Sequence, residues 1–252
     1  MGDCVSIINK RNASQMIIDY ILAQIQKGYL KRGDKLMTEQ EFSELLGVSR
    51  IPLREALCAL STVGILESRQ GGGTYVSTKS DPSMLGHMLY DYALLDNVDL
   101  RQVIDVRLLL EPEAARQAAI QSSQRQKEEI WALAEEYREL MERYAGTEAD
   151  NRKIMRLDRQ LHQAVAQASH QDFLRMVLSI TGTSFTELNN RNYLLSNDQG
   201  AKERKAFSQH HTELAQAILS SNPPAAYKAM EKHLQHIKRA NMADIDGFSS
   251  ES

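Results

Sequence analysis

The sequence predicts a mainly α chain in two parts. A short N-terminal helical unit closed by one β-hairpin precedes a C-terminal antiparallel all-α helical bundle. Three observations predict this. Between Leu36 and Val76, two short amphipathic patterns meet at Gly47, and two alternating runs flank three consecutive glycines. Beyond Asp81-Pro82 the strand signals vanish. Apolar residues then recur at helical spacing as far as about residue 240.

In the N-terminal unit, Thr38 can cap the first short helix, and Glu41 three residues on completes a capping box. Phe42, Leu45 and Leu46 form its apolar face. Gly47 supplies the left-handed residue that stops it. Ser49 can cap the next helix, with Pro52 in its first turn, where a missing N–H costs little. Leu53, Ala56, Leu57 and Leu60 repeat at helical spacing, and Arg50 and Arg54 lie one turn apart off that face. This helix is expected from about Ser49 to Thr62. Ile65–Ser68 and Thr74–Ser77 are expected as strands joined by Arg69-Gln70-Gly71-Gly72-Gly73. A tip with one arginine and three glycines can lie against a phosphate backbone or enter a minor groove. An ordinary helical hairpin with solvated arginines explains the helices equally well, but not the β-hairpin. Helix-turn-helix plus hairpin is a winged helix-turn-helix, and the partner it implies is double-stranded operator DNA.

From about Gln15 to Ser77 the chain resembles the DNA-binding domain of GntR-family bacterial transcription regulators. The residues that carry the resemblance are Gly28 to Leu36 (GYLKRGDKL), Gly47-Val48-Ser49-Arg50, Leu53-Arg54-Glu55-Ala56-Leu57 and Gly71 to Val76 (GGGTYV). It implies that Arg50 and Arg54 contact the operator and that Gln70 and Gly71 lie at the wing tip. The chain departs from the family at Met37-Thr38-Glu39-Gln40, where Pro-Ser/Ala-Glu-Arg is usual. Gln40 thus stands where the family often has a DNA-touching arginine. The expected DNA-binding set is Gln40, Ser49, Arg50, Arg54, Arg69, Gln70 and Gly71.

Composition agrees with two domains. The chain has 252 residues, enough for more than one small domain. No run of about 18 apolar residues is present, so no membrane segment is expected. The N-terminus, MGDCVSIINKRN, lacks the apolar stretch of a signal peptide. Cys4 and Cys58 are too few for a disulfide framework, and a cytoplasmic location is expected. A net charge of −3 argues against DNA binding until the chain is divided. Residues 1–80 carry 10 basic and 8 acidic side chains, a net +2; residues 81–252 carry 20 and 25, a net −5. The modest basic excess lies with the DNA reader, so individual arginines matter more than bulk charge.

The expected domains are residues 1–79, 80–240 and a polar, disordered tail, 241–252. Helices are expected near Ser83–Leu95, Asp99–Ile120, Gln124–Ala145, Asp150–Ala168, Asp172–Leu195, Gly200–Ser220 and Pro223–Ala240. Turn chemistry separates several of them: Asp96-Asn97, Gly146-Thr147, Ser196-Asn197-Asp198 and Asn222-Pro223-Pro224.

The polar residues on the buried stripes matter most. Ile154, Asp158, Leu161, His162 and Val165 share one stripe, with Asp158 and His162 four apart and so side by side. Phe207, His211, Leu214 and Ile218 share another; Met230, His233 and Ile237 a third. Burying one carboxylate and three imidazoles is costly unless they are paired or metal-bound. A lone inward histidine is usually a hydrogen-bonded core residue, and Asp158 with His162 alone could be an ion pair. Together the four suit a divalent transition metal with open positions: zinc, nickel or manganese. His210 and His236 neighbour the set but face elsewhere, and with His87 and His170 are expected to play no part.

Residues from about Leu85 to Arg239 resemble the all-helical ligand-binding domain of the FadR-type branch of the GntR family. The matching segments are Asp105 to Ala115, Asp158-Arg159-Gln160-Leu161-His162, His211 with Ala217-Ile218, and Ala229 to Leu234. In metal-containing members an Asp and three His bind the ion, and these map onto Asp158, His162, His211 and His233. Members that bind acyl-CoA without metal lack this set. Arg107 also falls on a core-facing stripe, among Leu100, Val103, Ile104, Leu110 and Ala114. It can pair with Glu111 one turn on, or face the metal cavity and take an organic acid's carboxylate; the resemblance favours the second. Arg107 and Glu111 are the expected effector-binding residues, and Asn189, Asn190 and Arg191 are candidates to line the pocket.

The function expected is a ligand-responsive transcription regulator, a repressor and homodimer, controlled by a small organic acid at a metal site, and not an enzyme. The alternatives are a metalloenzyme fused to a DNA tether, with Glu111 its one candidate base, and an architectural DNA binder with a structural metal.

Overall fold

The structure, a computed structural model, describes residues 4–78, 82–188 and 198–248. The chain divides into two compact units, Met1–Leu85 and Gly86–Ser252.

The first unit holds α1 (Cys4–Gln26), α2 (Glu39–Leu46), α3 (Arg50–Thr62), β1 (Leu66–Arg69) and β2 (Gly73–Val76). Thr38 and Glu41 form the reciprocal capping box at the start of α2. Gly47 ends α2 at φ 62°, in the left-handed region that favours glycine. Ser49 occupies the N-cap position of α3, but its side chain makes no capping hydrogen bond. Leu53, Ala56 and Leu60 of α3 pack with Ile17 and Ile21 of α1 and Phe42 of α2 into one small core.

The hairpin is antiparallel, with Leu66 opposite Val76 and Arg69 opposite Gly73. The connection is thus Gln70-Gly71-Gly72, and Arg69 belongs to the strand rather than the tip. Residues 33–36 lie along β2 and add edge hydrogen bonds, among them Leu36 N–H to Thr74 C=O at 2.8 Å. Leu66 and Val76 face the core, while Arg69, Gln70 and Gly71 are exposed.

The second unit is all helical: α4 (Ser83–Leu95), α5 (Leu100–Gln121), α6 (Gln124–Glu142), α7 (Glu148–Ala168), α8 (Asp172–Leu188), α9 (Asp198–Leu219) and α10 (Pro223–Phe248). Among the described residues, side-chain caps start four of them: Asp99 for α5, capping boxes Ser123/Gln126 for α6 and Thr147/Asp150 for α7, and Asn222, which accepts from Ala225 N–H at 3.2 Å, for α10. The largest core cluster includes Ile104, Ile130, Leu161, Leu214, Ile218, Met230 and Leu234, all fully buried. α10 packs on α5 and α9, and α6 on α7 and α9.

The largest difference from expectation is at the C-terminal helix. α10 continues to Phe248, through residues expected to be a disordered tail after Ala240. The segment Asn241-Met242-Ala243-Asp244-Ile245-Asp246 contains no proline or glycine, so nothing in it breaks the helix. α5 runs through Pro112 without ending, as the expected helix near Asp99–Ile120 does. Proline cannot donate to the carbonyl four residues earlier, so α5 gives up one internal bond beside Glu111.

α4 approaches α8 closely at Gly86. A Cβ there would lie 2.6 Å from Thr183 Cβ and 2.9 Å from the Ile180 carbonyl oxygen. Ser184 Oγ donates to the Gly86 carbonyl at 2.9 Å, fixing the same crossing. Gly86→Ala is therefore expected to lower stability by about 1–3 kcal/mol through overpacking. A thermal melt matching wild type would show that this contact is not tight.

Candidate functional site

The bundle interior brings four metal-ligating side chains to one point. α7 contributes Asp158 and His162, α9 His211 and α10 His233. His211 and His233 are fully buried, Asp158 and His162 nearly so. One ligand atom from each residue lies within 4.8 Å of the other three. His162 Nε2 and His233 Nε2 are 3.2 Å apart, and His211 Nε2 and His233 Nε2 3.3 Å. Asp158 Oδ1 lies 3.3 Å from His211 Nε2 and 3.8 Å from His162 Nε2. Tetrahedral ligands at the usual 2.0–2.1 Å from zinc are roughly 3.3 Å apart. The donor set, its spacing and its burial thus fit a divalent ion.

The local electrostatics favour the ligating forms. Burial alone would raise the Asp158 carboxyl, but His162, His211 and Arg107 outweigh it and hold it below the usual range. Burial pushes His233 well below the ordinary imidazole value, helped by His211, His162 and Arg107. Burial also lowers His211 against the pull of Asp158. Neutral imidazoles facing an ionised carboxylate are the state a cation requires. The Nδ1 atoms of His211 and His233 are buried without a hydrogen-bonding partner among the described residues. Tyr137, also buried, sets its ring edge-to-face against His211, with centroids 4.4 Å apart. A tyrosine on the inward stripe of α6 was the signal for this wall, and sequence reasoning passed over it.

Arg107 and Glu111 stand directly behind His162. The Arg107 side chain is 2 % exposed, and its Nε donates to Glu111 Oε1. Glu111 Oε2 contacts His162 Nδ1, and Arg107 Nη2 lies 3.2 Å from the same nitrogen. An ionised carboxylate can only accept, so the closer Glu111 contact takes the Nδ1 proton. That tautomer leaves the His162 Nε2 lone pair turned toward the other ligands. Burial raises Glu111, but Arg107 and His162 bring it down to about 2, so it stays ionised. Arg107 thus pairs with Glu111, as the first reading has it, and borders His162 of the cluster. Asn189, Asn190 and Arg191 lie outside the described residues.

The neighbouring histidines stand apart from the cluster. His236 pairs with Glu203 at 2.5 Å, and His170 with Gln126 at 3.2 Å. His210 is buried with its ring 5.1 Å from that of His236, and burial takes it down to about 4.

In the first unit, Gln40, Ser49, Arg50, Arg54, Arg69, Gln70 and Gly71 are all exposed. Arg54 Nε donates to Glu39 Oε2 at 2.7 Å, joining α3 to the first residue of α2. Gln40 Nε2 donates to Glu44 at 3.1 Å. Arg69 is the most engaged: it donates to Glu67 at 2.6 Å and lies over the Tyr75 ring, 4.1 Å from its centroid.

The buried histidines give a pH dependence with a definite sign. His210, His211 and His233 hold folded values below the ordinary 6.5, so the unfolded chain takes up protons first. Stability of chelator-treated protein should fall as pH drops below about 6.5, and His210 should extend the loss to about 4. Asp158 and Glu111, both depressed, stabilise at neutral pH and lose that contribution only as pH falls toward their folded values. A melting temperature that is flat or rising between pH 7 and pH 5 would contradict this.

Comparison with known proteins follows the same division. Residues 13–76 match the family model "Bacterial regulatory proteins, gntR family", and residues 102–236 match the FCD domain. The chain is 29 % identical over 216 residues to the HTH-type transcriptional regulator LutR of Bacillus subtilis, covering 85 % of this chain and 94 % of that protein. It is also 29 % identical over 244 residues to the Glc operon transcriptional activator of Escherichia coli, covering 94 % and 91 %. Among solved structures, a Streptococcus agalactiae GntR aligns with a TM-score of 0.67 at 28 % identity, over 90 % of this chain and 99 % of that one. These families and relatives are transcription regulators, not enzymes, which removes the support for a tethered metalloenzyme. No helix among the described residues is long and apolar enough to cross a membrane. A GntR winged helix implies operator DNA and an FCD domain implies a small-molecule effector, so the chain is a DNA-binding transcription regulator that belongs to the FadR-type branch of the GntR family.

Proposed function

We propose that this regulator is a homodimeric repressor whose operator affinity is lowered by a small organic acid bound at a metal centre. The carrying observation is the convergence of three imidazole Nε2 atoms and one carboxylate oxygen beside a buried guanidinium. Asp158, His162, His211 and His233 would hold the ion: zinc, nickel or manganese. The ion would supply a Lewis-acidic position for a carboxylate or hydroxyl oxygen. Arg107 would take the effector's carboxylate through its planar fork. Glu111 would orient both Arg107 and His162, since its two oxygens serve one each. A carboxylate drawing on Arg107 thereby alters the charge that steadies His162, which links effector to ligand geometry.

On the DNA side, Arg50 and Arg54 would read the major groove, with Ser49 and Gln40 beside them. Gln70 and Gly71 would lie at the wing tip, with Arg69 at its base. One recognition helix reads only a few base pairs, so two symmetry-related copies are needed for an inverted repeat. The effector acts only through its difference in affinity between two states, and operator DNA must alter effector affinity by the same factor.

Thermal shift with a panel of hydroxy acids, sugar acids and dicarboxylates tests the reading. At a hundredfold excess over Kd, a ligand specific to the native state stabilises by about 2.7 kcal/mol. The expected result is stabilisation of the metal-loaded protein, little after chelation, and release of operator DNA by the same compound. Arg107→Ala should retain the metal and lose the response; His233→Ala should lose the metal, while His236→Ala should keep it. A normal response from Arg107→Ala, or a response to neutral compounds alone, would overturn the pocket assignment.

A further inference from the structure

We infer that Glu39 is a positioning residue for Arg54 and sets the sequence specificity of operator recognition; this rests on the proposed reading of Arg54 as a base-contacting side chain. Glu39 and Glu41 both occupy the first turn of α2. Glu41 serves locally: its carboxylate accepts from the Thr38 backbone N–H at 2.8 Å, closing the capping box. Glu39 reaches out of its own helix and across to α3, where it accepts from Arg54 Nε at 2.7 Å.

The pair is exposed, with 65 % of the Arg54 side chain and 40 % of the Glu39 side chain open to solvent. An exposed ion pair adds little to folding stability. A carboxylate beside a DNA-reading arginine also repels the phosphate backbone and so weakens binding to DNA of any sequence. Neither stability nor general affinity accounts for it. What the contact does is fix the guanidinium. With Nε committed to Glu39, the edge left to present is the Nη1/Nη2 pair, the edge that matches guanine O6 and N7. A side chain already held in its bound rotamer loses less entropy on binding. The adjacent negative charge also reduces the attraction of Arg54 for phosphates, which penalises wrong sites more than right ones. The need for such a device is greater here because Gln40, bonded to Glu44, stands where the resemblance places another DNA-touching arginine.

The test uses the full-length protein at one fixed salt concentration. The probes are the tightest duplex recovered from a random pool by in vitro selection with wild-type protein, and a shuffled duplex of the same composition. Glu39→Ala should bind the shuffled duplex more tightly and cut the ratio of selected to shuffled affinity about tenfold. Glu39→Gln keeps an oxygen acceptor for Nε without the charge; it should tighten both duplexes and preserve most of the ratio. Selection repeated with Glu39→Ala should relax preference at one base position. Thermal melts of both variants should match wild type. The inference is overturned if Glu39→Ala shifts both duplexes by the same factor. If Arg54→Ala leaves the ratio unchanged, the base-contact reading itself is wrong, and the inference falls with it.

Discussion

Three imidazoles and a carboxylate meeting at one point in a helical interior is the constraint on which the bundle depends. Each buried polar group without a full set of partners costs about 1–3 kcal/mol. Four of them together cost on the order of the whole stability of a small domain. Hydrogen bonds within the cluster recover only part of this, because the Nδ1 atoms of His211 and His233 stay buried without a partner among the described residues. A bound cation would recover it: apparent binding energies of structural zinc sites run to about 10–16 kcal/mol. The surrounding helices can then be understood as the frame that keeps the four donors from separating.

That frame is built from ordinary elements. α7 sets Asp158 and His162 one turn apart, and its capped start fixes their height. α9 and α10 carry one of the clustered histidines each, flanked by Leu214 and Ile218 on one helix and Met230 and Leu234 on the other, all fully buried. α5 closes the back with Arg107 and Glu111, which transmit charge to His162 without joining the ligand set. The winged helix has its own small core, separate from that of the bundle. Its arginines are set by contacts among α2, α3 and the hairpin rather than by bulk charge.

Much of this was legible in the sequence, because the signals were local or periodic. The Thr38/Glu41 capping box and the turn at Gly47 are each decided within a few residues. The convergence of Asp158, His162, His211 and His233 was legible because helical periodicity places each on an apolar stripe, whatever the helices pack against. What was not legible depends on partners far along the chain. Nothing local shows that Glu111 divides its oxygens between Arg107 and a histidine 51 residues away. Arg69 was read as part of the wing tip, since register decides whether a residue before three glycines is strand or turn. α7 begins before Asp150, because Thr147 uses that aspartate in a capping box where glutamate or glutamine is the usual signal.

The central claim concerns the ligand shell, and X-ray absorption at the zinc edge of zinc-reconstituted protein measures it directly. The account predicts imidazole scattering from three histidines, with nitrogen and oxygen donors at about 2.0–2.1 Å and no sulfur. It also predicts that Asp158→Ala changes the oxygen contribution while the three imidazoles persist. A shell with sulfur, or with fewer than three imidazoles in the wild-type protein, would contradict it.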